Sequence, residues 1–306
     1  MLESRYERND PIASARCDAN QDAVLGPELT LALPNSLSLL TVLYKMPGTD
    51  ELILFYKVGR DPRRWKGYLK RSDDYGASWS DAEALPHGIV GPAKNKPITL
   101  TDGSMLSPSS REYANRVWHV VMERSRDGGR TWETSPPLFN GQRPSAGKVI
   151  QPSAWLDDGG IPRLIARSRL TYAVSANATD AGGLTWTPLA LQEDVPCPNS
   201  GLDAVKLRDG RVLLVYNHSF KKGGWAGRGV LDLAASWDDG NSFHRLFTME
   251  DSKGRNVEFS YPSIVQAVNG LVHIVATFKR GNIKHYTIDP SELPATPPPK
   301  KRAKRL

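Results

Sequence analysis

The sequence predicts an all-β chain built as a propeller. Three observations carry this reading. An octapeptide of the form Ser/Thr-x-Asp-x-Gly-x-Ser/Thr-aromatic recurs four times. Five stretches read as apolar strand, tight polar turn, apolar strand. Helical periodicity is essentially absent, so alternating runs and turn residues organise the chain.

The elements follow in chain order. Residues 1–34 contain neither a hairpin pattern nor an octapeptide, and they read as a divergent or incomplete N-terminal segment that packs poorly. Their first 23 residues are polar throughout, with no secretory signal. A complete N-terminus would then place the protein in the cytoplasm or nucleus. The hairpins are LTVLYKMPGTDELILFYKV (40–58), PITLTDGSMLSPSS (97–110), SAWLDDGGIPRLIARS (153–168), DAVKLRDGRVLLVYNHS (203–219) and SIVQAVNGLVHIVATFK (263–279). Asp-Gly or Asn-Gly between β-rich runs is a strong hairpin signal.

The octapeptides begin at Ser72, Ser125, Thr179 and Ser236, which are 53, 54 and 57 residues apart. Such periods suit four-stranded propeller blades. The third copy carries Ala181 where the others carry Asp. In each box the carboxylate can accept backbone N–H bonds. Gly supplies a left-handed backbone, and the terminal aromatic drives into the sheet. These Asp residues therefore read as turn staples, not as reactive groups.

Composition narrows the functional classes. The chain has 306 residues, 39% of them hydrophobic, enough for a large core. Two cysteines exclude a disulfide scaffold, and no Cys/His cluster has zinc spacing. No segment is long and apolar enough to span a membrane as a helix; the nearest, 30–44, is broken by Pro34 and Asn35. Residues 291–306 read as a disordered Pro-rich basic tail, where Lys300, Lys301, Arg302, Lys304 and Arg305 resemble a nuclear localisation patch. These five charges account for most of the net +7, leaving +2 for the rest. The body is close to neutral, so no nucleic-acid-binding face is expected on it.

The octapeptides are Asp-boxes. Four of them at blade spacing, each preceded by a hairpin, resemble the sialidase superfamily over residues 35–290. The stretches FYKVG (55–59), GPAKNKP (91–97), NSGLDAVKLRDGRVLLVYNHS (199–219) and EFSYPSIVQ (258–266) are similar to BNR-repeat sialidase-like proteins. The resemblance implies a six-bladed sialidase-type β-propeller, here with its first blade incomplete. It also implies an exo-α-sialidase-type glycoside hydrolase, monomeric and without a cofactor, acting on an acidic carbohydrate or glycoconjugate.

In that family the site lies at the central mouth. Three arginines hold the substrate carboxylate, a Glu assists a Tyr nucleophile, and an Asp serves as acid and base. Guanidinium groups suit a carboxylate because they bind it bidentately. A free tyrosine has a pKa of about 10, so it needs a neighbouring base. Carried onto this chain, the resemblance makes Tyr261 the nucleophile, with Arg167 and Arg228 on the carboxylate. Arg169 competes with Arg167, since both share a strand face. Gln151 stands where the assisting Glu belongs, and a neutral amide cannot take the proton. Glu258 is the candidate substitute base, and Asp203 the candidate substitute acid.

Lys94, Asn95 and Lys96 precede a strand at the mouth and read as anion or sugar contacts or as an inter-blade loop. Arg63, Arg64 and Trp65 read as a sugar shelf or a surface loop. His218 permits a second chemistry, a uronate-directed lyase using His218, Tyr261 and Arg167. A third reading is a non-catalytic carbohydrate-binding propeller.

Overall fold

In the computed structural model, described residues are 15–18, 21–25, 38–114, 117–139, 148–221 and 227–298. They form 21 β-strands in six sheets. Strands β1 (Ala15–Asp18) and β2 (Gln21–Leu25) pair with each other as a separate two-stranded sheet.

The other five sheets are blades, each wound antiparallel from the inside outwards. Blade I holds β3 (Ser38–Lys45), β4 (Leu52–Val58), β5 (Lys66–Ser72) and β6 (Glu83–Ala84). Blade II holds β7 (Ile98–Thr99), β8 (Met105–Glu112), β9 (Trp118–Ser125) and β10 (Glu133–Thr134). Blade III holds β11 (Val149–Leu156), β12 (Pro162–Ser168), β13 (Tyr172–Asn177) and β14 (Ala190–Pro196). Blade IV holds β15 (Asp203–Lys206), β16 (Val212–Tyr216), β17 (Val230–Ser236) and β18 (His244–Asp251). Blade V has three strands: β19 (Phe259–Gln266), β20 (Val272–Phe278) and β21 (Asn282–Ile288).

The expected six blades are corrected to five among the described residues. Each blade starts from one apolar hairpin, and the chain has five of these. The sixth was implied by the family pattern, not by any hairpin. Residues 1–14, 19–20, 26–37 and 299–306 lie outside the described residues, so the packing expected of most of 1–34 and the basic cluster of the tail lie outside them too.

The boxes join the third and fourth strands of blades I to IV. Asp127 accepts from Ser125 Oγ at 2.9 Å, from Thr131 N at 2.8 Å and from Thr131 Oγ1 at 2.6 Å. Trp132 Nε1 donates back to Gly129 O at 2.9 Å. Asp74 and Asp238 repeat the pattern. In the third box Asp180, one position earlier, does the work of the missing Asp: it accepts from Gly182 N and Thr185 Oγ1, both at 2.7 Å. Among the described residues, blade V has no box and no fourth strand.

The core lies between blades. Leu106, Val120, Met122, Leu164 and Val174 pack blade II on blade III. Leu213, Leu231, Ile264 and Ile274 pack blade IV on blade V. Burying each such side chain stabilises the fold by roughly 1.5–3 kcal/mol. Inner blades bury both faces, so residues 231–236 of β17 are all buried. Blade V buries one face: Ile264 is fully buried, whereas its neighbour Val265 is 41% exposed. Among the described residues no helix is long and apolar enough to cross a membrane.

Candidate functional site

Antiparallel winding puts two kinds of connection at opposite ends. Hairpin turns and boxes share one end, where Lys206 bonds both Asp158 of a hairpin turn and Asp239 of a box. The other end, the mouth, collects the starts of the inner strands and the ends of the second strands. Most of the candidate residues lie there.

Two inner strands begin with the same device. A β-bulge interrupts β11 between Ile150 and Pro152, and another interrupts β19 between Ser260 and Ser263. Gln151 and Tyr261 sit in these bulges with φ of 55° and 51°. A bulge re-aims a side chain out of the ladder. A left-handed non-glycine residue costs of order 1–3 kcal/mol and marks a constrained position. Tyr261 is 37% exposed and Gln151 is buried.

Two arginines converge on one residue between them. Arg167 donates from Nε to Asn199 Oδ1 at 2.9 Å, and from a terminal nitrogen to Gln151 Oε1 at 3.0 Å. Arg228 donates to the Asn199 carbonyl at 3.3 Å and to Glu258 Oε1 at 2.9 Å. The Arg228 guanidinium lies 5.2 Å from the centre of the Tyr261 ring. Asn199 turns the chain with φ of 61°, which an Asn side chain tolerates. Neighbouring Asn217 is buried and ties strands together: it donates to Val230 O and Phe259 O, both at 2.6 Å.

Glu258 is held as a carboxylate. Burial opposes ionisation, but hydrogen bonds from Ser260, Arg228 and Arg280, with the charge of Arg228, outweigh it and hold the group below its usual range. It is positioned to accept, not to donate.

Lys94, Asn95, Lys96 and Asp203 form a polar axle across the centre. Lys94 Nζ, from blade II, donates to Leu202 O at 3.1 Å and Pro262 O at 2.5 Å, reaching blades IV and V. Burial lowers its pKa to about 8. Asn95 donates to Gln151 O and Pro152 O of blade III at 3.2 and 3.0 Å. Asp203 is fully buried, with Oδ2 accepting from Lys96 Nζ and Ile264 N at 3.0 Å, and Oδ1 from Ser153 Oγ at 2.7 Å. Burial disfavours its charge, yet Lys96, Lys94 and these hydrogen bonds keep its pKa below the ordinary value. Both oxygens are engaged by blades II, III and V, so the geometry makes Asp203 a brace.

His218 sits beside Tyr216, its Nδ1 2.6 Å from the hydroxyl, with Asp232 3.9 Å away. Burial lowers the His218 pKa and raises that of Tyr216. The hydroxyl bonded to His218 is thus that of Tyr216, not Tyr261. Arg63 pairs with Asp61, and the Trp65 indole donates to Gly59 O at 3.1 Å, which ties that loop to itself.

Four residues at the mouth were not singled out by sequence reasoning: Asn199, Asn217, Arg280 and Glu112. Asn199 and Asn217 lie within family-like stretches, a signal that could have pointed to them. Glu112 ends β8, half-buried, where its carboxylate accepts from the Trp118 side chain. Trp118 in turn carries Arg169, whose Cζ is 3.3 Å from the ring centre, and Arg167 at 5.8 Å.

A family model described as a BNR repeat-like domain matches residues 29–274. The chain belongs to this family. A Hadza microbial sialidase aligns with a TM-score of 0.69 at 18% identity, over 86% of this chain and 55% of its own. A protein of unknown function from Dyadobacter fermentans aligns at 0.65 and 17% identity, over 92% of this chain and 86% of its own. Trypanosoma rangeli sialidase aligns at 0.63 and 13% identity, over 87% of this chain and 47% of its own. The chain spans about half the length of these two sialidases. At such identities the likeness shows a shared propeller fold. No match was found among curated proteins.

Proposed function

We propose that the mouth binds the carboxylate of an acidic sugar between Arg167 and Arg228 and cleaves its glycosidic bond. The observation that carries this reading is the convergence of both guanidiniums on Asn199, which spaces two cations around one opening. Tyr261, fixed by its bulge and exposed to the mouth, is the nucleophile on the anomeric carbon. Its proton passes to Glu258, the ionised carboxylate that shares Arg228 with it. A carboxylate held below its usual range is a weak base, so this reading describes a slow enzyme. The chain acts as a monomer and needs no cofactor. Several of the solved propellers of this fold are sialidases, one of them described in complex with sialic acid, which supports an α-ketosidic acidic sugar as the first substrate to try. The test is release of a fluorophore from an aryl sialoside by the full chain, abolished in Tyr261→Phe.

A second reading is favoured by Gln151, the neutral residue at the place of the expected assisting Glu, and by the fully engaged Asp203. It is a carbohydrate-binding propeller without turnover. The same assay separates the two when paired with a binding titration, since saturable binding without release selects the second.

A further inference from the structure

We propose that Glu112 is the general acid of this site, donating its proton to the glycosidic oxygen as the bond breaks. The inference rests on the reading of the mouth as a glycoside-cleaving site.

A glycosidase needs one carboxyl kept protonated and one kept ionised, and environment sets which is which. Five other carboxylates among the described residues at this end are committed, Asp232 being paired with Arg245. Asp203 is buried in the axle with both oxygens bonded. Glu258 is clamped by Arg228 and Arg280. Asp61 is paired with Arg63, which lowers its pKa to about 2. Glu123 is spent on the backbone N–H groups of Val90 and Gly91, at 3.1 and 2.8 Å.

Glu112 differs in each respect. It sits at the mouth end of β8, directly across the ladder from Trp118. The Trp118 side chain bonds the carboxyl, and Glu112 is half-buried. Burial raises its pKa; the charges of Arg167 and Arg169 and the Trp118 hydrogen bond oppose that without overcoming it, and Asp61 adds to it. Trp118 also carries Arg167 at 5.8 Å, so the acid and the guanidinium that would hold the substrate share one indole as neighbour. Tyr261 and Glu258 come from blade V, with blades III and IV between them and blade II. Acid and nucleophile thus approach from different walls of the mouth, as displacement at an anomeric carbon requires.

The step balances. Tyr261 Oη forms a bond to the anomeric carbon as its proton moves to Glu258. The bond from that carbon to the leaving oxygen breaks, and the Glu112 proton moves to that oxygen. Water then attacks the same carbon and gives a proton to the Glu112 carboxylate. Tyr261 leaves and takes its proton back from Glu258. The sum is addition of one water across the glycosidic bond.

The experiment uses the full chain and two substrates with the same acidic sugar, one linked to 4-methylumbelliferone and one to a second sugar. Glu112→Gln keeps the volume and removes the acid. We expect kcat/KM on the sugar-linked substrate to fall about 10²–10⁴-fold, the usual worth of a general acid. The umbelliferyl substrate, whose leaving group needs little protonation, should lose less than about tenfold. Glu112→Asp, which keeps an acid with shorter reach, should recover part of the sugar-linked rate, and a melting curve unchanged from wild type shows both variants folded. Equal losses on both substrates, or none on either, overturn the assignment while leaving the hydrolase reading intact. A wild-type protein that cleaves neither substrate overturns both.

Discussion

Gln151 and Tyr261 occupy the same place in two different blades. Each lies in a bulge at the start of an inner strand, each is left-handed, and each is followed by Pro and Ser. The backbone presents both side chains at the mouth end, but the chemistry has diverged. Tyr261 is exposed, whereas Gln151 is buried and fixes Arg167 at 3.0 Å.

That neutral contact holds Arg167 in place without cancelling its charge. Gln151→Glu would pair the guanidinium internally. Affinity for an acidic sugar should then fall about tenfold, equivalent to ~1.4 kcal/mol. Calorimetric titration of both proteins checks this.

Tyr261→Phe keeps the ring beside Arg228 and removes the hydroxyl. Turnover should disappear while binding of the acidic sugar changes less than about threefold, because the phenol acts in the chemical step. Single-turnover kinetics and equilibrium binding, measured on the same preparation, separate the two effects.

The axle carries stability that depends on pH. The folded-state pKa of Asp203 lies below its ordinary value. Its contribution is therefore fully present above about pH 4 and is lost as pH falls through the folded pKa. Asp203→Asn leaves the partly buried Lys96 ammonium without its buried carboxylate partner and should cost up to about 3 kcal/mol at pH 7. It should also flatten the acid limb of the stability curve. Lys94 acts in the opposite sense. Its folded pKa is lowered to about 8 from 10.5, so the unfolded chain binds more protons between these values and stability rises with pH across that window. Denaturant titrations from pH 3 to 10.5, repeated on Lys94→Met, should show the alkaline rise in the wild type and its absence in the variant.

Much of the fold was legible because its signals are local. Each hairpin and each box is fixed within about 20 residues, and all five hairpins and all four boxes recur as structure. Blade number was not local: the count of six came from a family pattern with no sixth hairpin behind it. The third box hides the same lesson on a smaller scale, since Asp180 replaces the absent Asp from one position earlier. Asp180→Ala should lower the melting temperature by roughly 2–4 °C, the response of a chain this size to about 1 kcal/mol.

The site was legible in part. Arg167 and Arg228, placed by resemblance, both bond Asn199, and Tyr261 and the substitute base Glu258 lie beside Arg228. The axle was not legible, because Lys96 and Asp203 lie 107 positions apart and only the side-by-side packing of the inner strands brings them together. Glu112 was missed because Ser-Arg-Glu at a strand end looks like any solvated strand terminus. Its meaning depends on Trp118 and Arg167, which fold onto it from β9 and β12.

The uneven burial of blade V gives a mutational contrast. Ile264 is fully buried against blade IV and Val265 faces outward at 41% exposure. Ile264→Ala should cost about 2–5 kcal/mol, and Val265→Ala less than about 1 kcal/mol. Paired urea titrations measure both. A large loss at Val265 would mean that this face is covered in solution.

The central claim is that two arginines at the mouth hold a sugar carboxylate. It is tested most directly by titrating the full chain with an acidic sugar, such as sialic acid, and with its methyl ester. The account predicts saturable binding of the acid, at least about tenfold weaker for the ester and comparably weakened by Arg167→Ala. Equal affinity for acid and ester, or no binding of either, would contradict it.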